Sequence, residues 1–327
     1  MKSASLRIHL AFKLATAILA VVGAVSLLMA LTRLVPGDPA TVILGSRATP
    51  EAVAALNARI GLDKSVVEQV AGFFGRLAIG DLGEDVFNGR PVLELVLGAL
   101  PNTAALAVSA MLCAVAFGVP LALLSARWPG GMADRLVAFM SVGFISTPSF
   151  VVSVFLLMAF SVTLRWFPVL GAGDDGDGDL RDQLWHLALP TAALAAGWIG
   201  YIARLLRSSL LEVLSESHIR TLRAYGVSET KILMKYALKP AILPTVAVLG
   251  MGFGELLGGA VFAEVIFNRP GLGSLIYDAI RTRNYPIVQG GVFVIVLLYV
   301  ATNLIADLSQ SLIDPRERSR LNASGGN

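Results

Sequence analysis

Chemistry needs particular side chains at particular spacings, and few stretches of this 327-residue chain offer them. The densest acidic run is Asp174, Asp175, Asp177, Asp179 and Asp182. Its best calcium-loop frame sets Leu180 where the turn needs glycine and His186 where a bidentate glutamate belongs, so the run reads as a solvated connection. His9, His186 and His218 form no H-x-x-x-H pair, and no metal site is expected. No G-x-S-x-G nucleophile motif occurs. The sequence also lacks any Gly-Lys pair, which excludes a phosphate loop of the G-x-x-x-x-G-K-[ST] kind. The chain is therefore not expected to be an enzyme or to bind a cofactor of its own.

Two stretches remain. Glu255 lies within the apolar run GMGFGELLGGA, where a lipid-facing carboxylate would cost at least about 2.5 kcal/mol. It must either be hydrogen-bonded inside a helix contact or line a water-filled translocation path. Gly254 and Gly258, with Gly250, Gly252 and Gly259, would let helices approach closely around it. Glu264, Asn303 and Asp307, nearer the ends of apolar segments, suit structural hydrogen bonds or interface positions.

The second stretch, His218 to Pro244, reads HIRTLRAYGVSETKILMKYALKPAILP. Gly226 suits the left-handed cap of one short helix, and Ser228 with Glu229 suits the N-cap and first turn of the next. Ile219, Leu222, Ile232, Leu233, Tyr236 and Ala237 recur at helical spacing, while Arg220, Arg223, Lys231, Lys235 and Lys239 supply a water-facing side. Pro244 ends the pattern at the threshold of the next apolar run. Charge alone would leave an ordinary basic loop; helix, glycine and helix together make a surface that a partner can grip.

At Arg223, Ala224, Gly226, Ile242, Leu243 and Pro244 the chain resembles the permease subunits of ATP-binding-cassette importers, whose cytoplasmic loop carries an E-A-A, G, I-x-L-P signature. The blocks PGDPA (36–40), GDLG (80–83), STPSF (146–150), FNRPGLG (267–273) and DPR (314–316) narrow the resemblance to the dipeptide/oligopeptide/nickel permease family. Departures are Tyr225 for a usual Lys, His218 for Tyr, Pro240 for Asn and Asp85 for a small hydroxyl residue. The resemblance implies an all-α type I permease bundle of six transmembrane helices with a cytoplasmic coupling helix. It makes Arg220, Arg223, Ala224, Tyr225, Gly226, Ser228, Glu229 and Pro244 the ATPase-coupling residues. It also implies partners: a second permease, which in this family is usually a related but different chain, two ATPase subunits that use ATP and Mg, and an extracytoplasmic solute-binding protein. The solute would be a peptide, or the nickel, glutathione, haem or sugar that relatives carry.

Composition agrees with a membrane protein: 55% of residues are hydrophobic, 15% are charged, and mean hydropathy is +0.72. The net charge of +3 gives no reason to expect nucleic-acid binding. The lone Cys113, inside an apolar run, reads as a buried thiol. Six segments can cross the hydrocarbon as helices: 10–32, 102–125, 136–164, 186–203, 242–267 and 287–311. Pro148 and Pro190 are expected to kink or break the third and fourth. The run after Lys2, Arg7 and Lys13 is too long for a secretory signal and reads as a retained span.

Basic residues assign the sides. Residues 1–9, the 126–135 turn with Arg127 and Arg135, the 204–240 coupling loop and the 315–327 tail with Arg316, Arg318 and Arg320 fall on the cytoplasmic side of a bacterial inner membrane. The 33–101 loop, the acidic 165–185 connection and the 268–286 turn fall outside, with Arg269, Arg281 and Arg283 of that turn as exceptions. The permease core occupies 102–314. The 33–101 loop is expected to fold, since Thr49-Pro50-Glu51 starts a helix, Gly61 stops it, and Val66, Val67, Val70, Phe73, Phe74 and Leu77 mark another. A self-sufficient secondary transporter is the rival reading, favoured only by Glu255.

Overall fold

The computed structural model describes residues 2–37, 39–45, 48–169, 171 and 180–313, excepting the side chains of 2–12, 180 and 307–313. The acidic run from Asp174 to Asp179, the DPR block and the basic tail lie outside the described residues. Described helices are α1 (Lys2–Thr32), α2 (Pro39–Leu44), α3 (Pro50–Ile60), α4 (Val66–Leu77), α5 (Val92–Arg127), α6 (Met132–Ser146), α7 (Ser149–Leu156) and α8 (Leu180–Leu214). They continue with α9 (Ser217–Ala224), α10 (Glu229–Lys231), α11 (Leu238–Ala241), α12 (Leu243–Ile266), α13 (Leu272–Arg281) and α14 (Tyr285–Ile313). Two wider π-helical stretches, Leu157–Thr163 and Ile232–Ala237, extend α7 and α10. Among the described residues, five helices are long and apolar enough to cross a membrane, or six when α6 and α7 with its π-helical extension count as one bent span.

The chain divides into two compact units: 1–103 with 270–304 and 311–327, and 104–269 with 305–310. In the first, the helices of the 33–101 segment start and stop where their caps predict. The Thr49 side chain accepts from the Ala52 amide, Pro50 opens α3, and Gly61 ends it at φ 72°. Ser65 and Glu68 form a reciprocal capping box on α4, and the Ser65 hydrogen bonds hold the Glu68 carboxyl below its usual range. Phe73 of α4 is fully buried, its ring 5.7 Å from Phe293 of α14 in an edge-on contact. Burial of that side chain contributes about 1.5–3 kcal/mol, enough to fix α4 on the core that α1 and α14 share.

Two of the three arginines of the 268–286 turn have local protein partners. Arg283 donates to the carbonyls of Pro36 and Gly37 at 2.8 and 2.9 Å, pinning the start of the PGDPA block. The Arg281 guanidinium lies 5.9 Å from the Tyr277 ring. Asp85 is also accounted for: it is buried and accepts from the Phe87 amide and from Asn284 Nδ2.

In the second unit, α6 and α7 meet at a 103° bend. Thr147 is extended at φ −97°, ψ 118°, because the Pro148 ring excludes the helical conformation from the residue before it. Pro190, expected to kink or break its span, instead lies inside the uninterrupted α8. Packing holds that helix on both sides of the proline: Leu189 and Ala193 are buried, and Thr191 shares a 2.7 Å hydrogen bond with Ser109 of α5. Helices α5 and α8 are also longer than the apolar runs 102–125 and 186–203, so residues 204–214 of the expected coupling loop belong to a continuous helix. Glycines set the closest approaches, since a Cβ on Gly252 would fall 2.0 Å from the Trp198 ring and one on Gly250 2.3 Å from Ala306 Cβ.

Candidate docking loop and pathway face

The His218 to Pro244 stretch forms two short helices about a glycine turn. Gly226 has φ 74°, its amide bonds to the Arg223 carbonyl at 3.0 Å, and the Val227 amide bonds to the Leu222 carbonyl at 3.1 Å. This is the paired closure of a left-handed cap, and glycine supplies it without the strain a Cβ would add. Ser228 stands at the N-cap of α10 with extended backbone but makes no side-chain cap bond. Glu229, in the first turn, has another use. Arg223 Nε donates to Glu229 Oε1 at 2.7 Å and Nη2 to Oε2 at 3.3 Å, a fork closing across the turn. Arg223 Nη1 reaches the Leu214 carbonyl at 3.4 Å, so one side chain ties together the ends of α8, α9 and α10. The pair holds the Glu229 carboxyl below its usual range and the Arg223 guanidinium above its own.

The loop has two faces. Ile219, Ile232, Leu233 and Ala237 are buried; the last two pack with Leu206, Leu210 and Val213 of α8 and Ala122 and Ala126 of α5. Arg220, Arg223, Ala224, Tyr225 and Gly226 are exposed, Tyr225 at 81%, and Lys231, Lys235 and Lys239 extend that face. The π-helical turn precedes Pro240, which has no N–H for the Tyr236 carbonyl, so the helix widens where a regular bond cannot form. Pro244 enters the first turn of α12, where a missing N–H costs nothing. A groove of about 430 Å³ beside the loop is lined by Arg127, Leu211, Leu214, Arg223 and Glu229.

The pathway candidates fall on α12. Gly254 is buried, whereas Glu255 and Gly258 are exposed. Glu255 therefore does not face the interior of this chain's bundle, which corrects the first of its two expected settings. Met251, Glu255, Gly258 and Phe262 recur at helical spacing along one open stripe, with Met251 44% and Phe262 54% exposed. Glu264 is fully buried, and Asn303 donates to the Tyr299 carbonyl at 3.0 Å, while the Asp307 side chain lies outside the described set. Cys113 is half-buried in α5 rather than enclosed.

Sequence reasoning missed a third constellation. Asp134, in the first turn of α6, is 5% exposed and receives a fork from Arg207 of α8, Nε to Oδ1 at 2.6 Å and Nη2 to Oδ2 at 2.8 Å. The Gly130 amide donates to Oδ2 at 2.8 Å, and the fully buried Ser125 hydroxyl donates to Oδ1. The available signal was an aspartate just after Pro129-Gly130-Gly131, at the entrance to one apolar segment, with an arginine at the exit of another.

The chain matches the family described as binding-protein-dependent transport system inner membrane component over residues 118–319, and its N-terminal companion over 8–107. It belongs to that family. A probable peptide ABC transporter permease protein, y4tP, of Sinorhizobium fredii is 41% identical over 303 residues, spanning 92% of this chain and 96% of the relative. The di/tripeptide transport system permease protein DppB of Pseudomonas aeruginosa is 37% identical, over 90% of this chain and 94% of that one. The glutathione transport system permease protein GsiC of Shigella flexneri is 35% identical, over 87% and 90%. An inward-facing structure of the MetNI methionine ABC transporter superposes with a TM-score of 0.55 at 20% identity, covering 67% of this chain and 96% of that one, a likeness of fold. The protein is thus a multi-pass ABC importer permease of the type I fold, and the secondary-transporter reading loses its ground.

Proposed function

We propose that this permease carries short peptides, or a related solute such as glutathione, inward as half of a pathway completed by a second permease. Two ATPase subunits hydrolyse ATP with Mg, and an extracytoplasmic solute-binding protein delivers the cargo. The loop from Arg220 to Glu229 takes the ATPase, with the termini and this loop cytoplasmic. The observation that carries the reading is the loop's geometry: a glycine-capped helix pair with its apolar side on the bundle and its basic side exposed. Peptides are the favoured cargo because relatives at 37–41% identity bear peptide names. The open α12 stripe supports a pathway role for Glu255, since a mid-span carboxylate exposed on a single chain needs water or a second permease rather than lipid.

The test substitutes the cap. A β-branched residue in a left-handed conformation costs roughly 1–2 kcal/mol, so Gly226→Val should redirect α10 without disturbing the spans. Permease levels in the membrane should stay normal, while ATPase retention on purification and ATP-dependent uptake are lost. A Gly226→Val complex that imports at the unmodified rate would remove this loop from the coupling role. Reporters fused near Arg127 and Tyr225 should read cytoplasmic, and one near Asn57 external. In Glu255→Gln the complex should assemble with altered uptake kinetics.

A further inference from the structure

The Asp134, Ser125 and Arg207 cluster joins α5, α6 and α8 rather than the short helices of the loop, and its cost needs a reason. A buried ion pair contributes little net stability compared with apolar side chains of the same shape. It does fix geometry, because the fork admits one orientation of guanidinium and carboxylate. Here it fixes α8 to the α5–α6 turn at one place, with two further close contacts along the same helix. A Cβ on Gly118 of α5 would lie 2.9 Å from Ile202 of α8, and one on Gly200 of α8 would lie 2.7 Å from the Ser141 carbonyl of α6. Helix α8 is thus seated against both neighbours without slack, and about 10 Å of helix separates Arg207 from Leu214. Leu214 is where Arg223 of the docking loop takes hold, and Leu210 and Val213, between the two attachments, pack in one cluster with Leu206, Leu233 and Ala237.

We infer that Asp134 and Arg207 are positioning residues for energy coupling: they lock α5, α6 and α8 into one lever, so that displacement of the docking loop moves these helices together. Without the fork, α8 slides or rotates against the α5–α6 turn, and motion at the loop is dissipated before it reaches the spans. The inference rests on the docking role of the loop proposed above.

The experiment uses the full complex, permeases with ATPases in lipid nanodiscs. Spin labels replace Met132 at the start of α6 and Met234 beside the docking loop, 73% and 52% exposed, in a Cys113→Ala background. The label-to-label distance should be the same in the nucleotide-free and vanadate-trapped states. In Asp134→Asn/Arg207→Gln, which exchanges the ion pair for neutral amides and leaves no buried lone charge, the distance should broaden or shift on trapping. ATPase retention and basal hydrolysis should persist, while stimulation of hydrolysis by the solute-binding protein falls about tenfold. Arg207→Lys, with the charge but no fork, should fall between. The lever is overturned if the distance changes on trapping in the unmodified pair. It is equally overturned if the double variant keeps both its distance and its stimulation, or if basal and stimulated hydrolysis fall in parallel. Failure of the unmodified complex to retain ATPase through the loop, seen in the Gly226→Val comparison, would instead remove the docking reading on which the lever depends.

Discussion

Two arginine–carboxylate forks hold the last turns of α8 about 10 Å apart, and they differ in almost everything but geometry. Arg223 and Glu229 are six residues apart, about 40% exposed, and joined through a single turn. Arg207 and Asp134 are 73 residues apart, with Asp134 buried and two further donors on its oxygens. Water and ions screen the first, so it shapes a turn that glycine geometry has already set. In the second, Asp134 is shielded from solvent even though Arg207 is partly open, so water cannot readily take over the carboxylate's place, and the positions of three helices depend on it. The lesson is that an ion pair's importance follows from what would replace it.

Breaking one side of the buried fork should give the largest effect. Asp134→Ala leaves the Arg207 guanidinium and the Ser125 hydroxyl without their shared acceptor, and the expected loss is about 3 kcal/mol, readable as a lowered unfolding midpoint in nanodiscs. The neutral double variant should recover most of that stability while remaining poorly coupled. Equal instability in the single and double variants would mean that charge burial is not the source.

The next effect sharpens the contrast at the turn. Gly226→Asn should retain ATPase far better than Gly226→Val, because asparagine visits the left-handed region and valine does not. Equal retention by the two variants would show that left-handed backbone is not what the site requires.

The smallest effect is expected from the exposed fork. Arg223→Ala should cost under about 1 kcal/mol of loop stability, and raising salt to about 1 M should erase much of the difference from the unmodified chain. Hydrogen exchange of the Val227 and Ile232 amides would report it. Because Glu229 binds its proton less readily folded than unfolded, the pair's contribution is present above the ordinary carboxyl value of 4.5. It is lost as pH falls through the lower folded value, so the protection of these amides relative to their intrinsic exchange rate at each pH should fall only on that acidic side. A loss of protection between pH 6 and 8 would assign the loop's order to another group.

The glycine turn at Gly226 was legible in the sequence because its determinants are local: Gly226 permits a backbone conformation, and the apolar spacing from Ile219 to Ala237 selects a face. The same holds for the α3 and α4 caps and for the break at Pro148, where covalent geometry leaves the preceding residue little choice. Composition and apolar run length likewise announced a multi-span helical protein. Tertiary structure decided the rest. Pro190 carries the same local tendency as Pro148, yet α8 runs through it because burial on both sides outweighs one missing hydrogen bond. Glu255 and Gly254 are neighbours in sequence, but which of them opens outward depends on how α12 is rotated, and Trp198 filling the space beside Gly252 helps to set that rotation. Asp134 and Arg207 each look like an ordinary charge at the end of an apolar run. Their meeting is a property of three packed helices, because no periodicity within one segment records where another will lie.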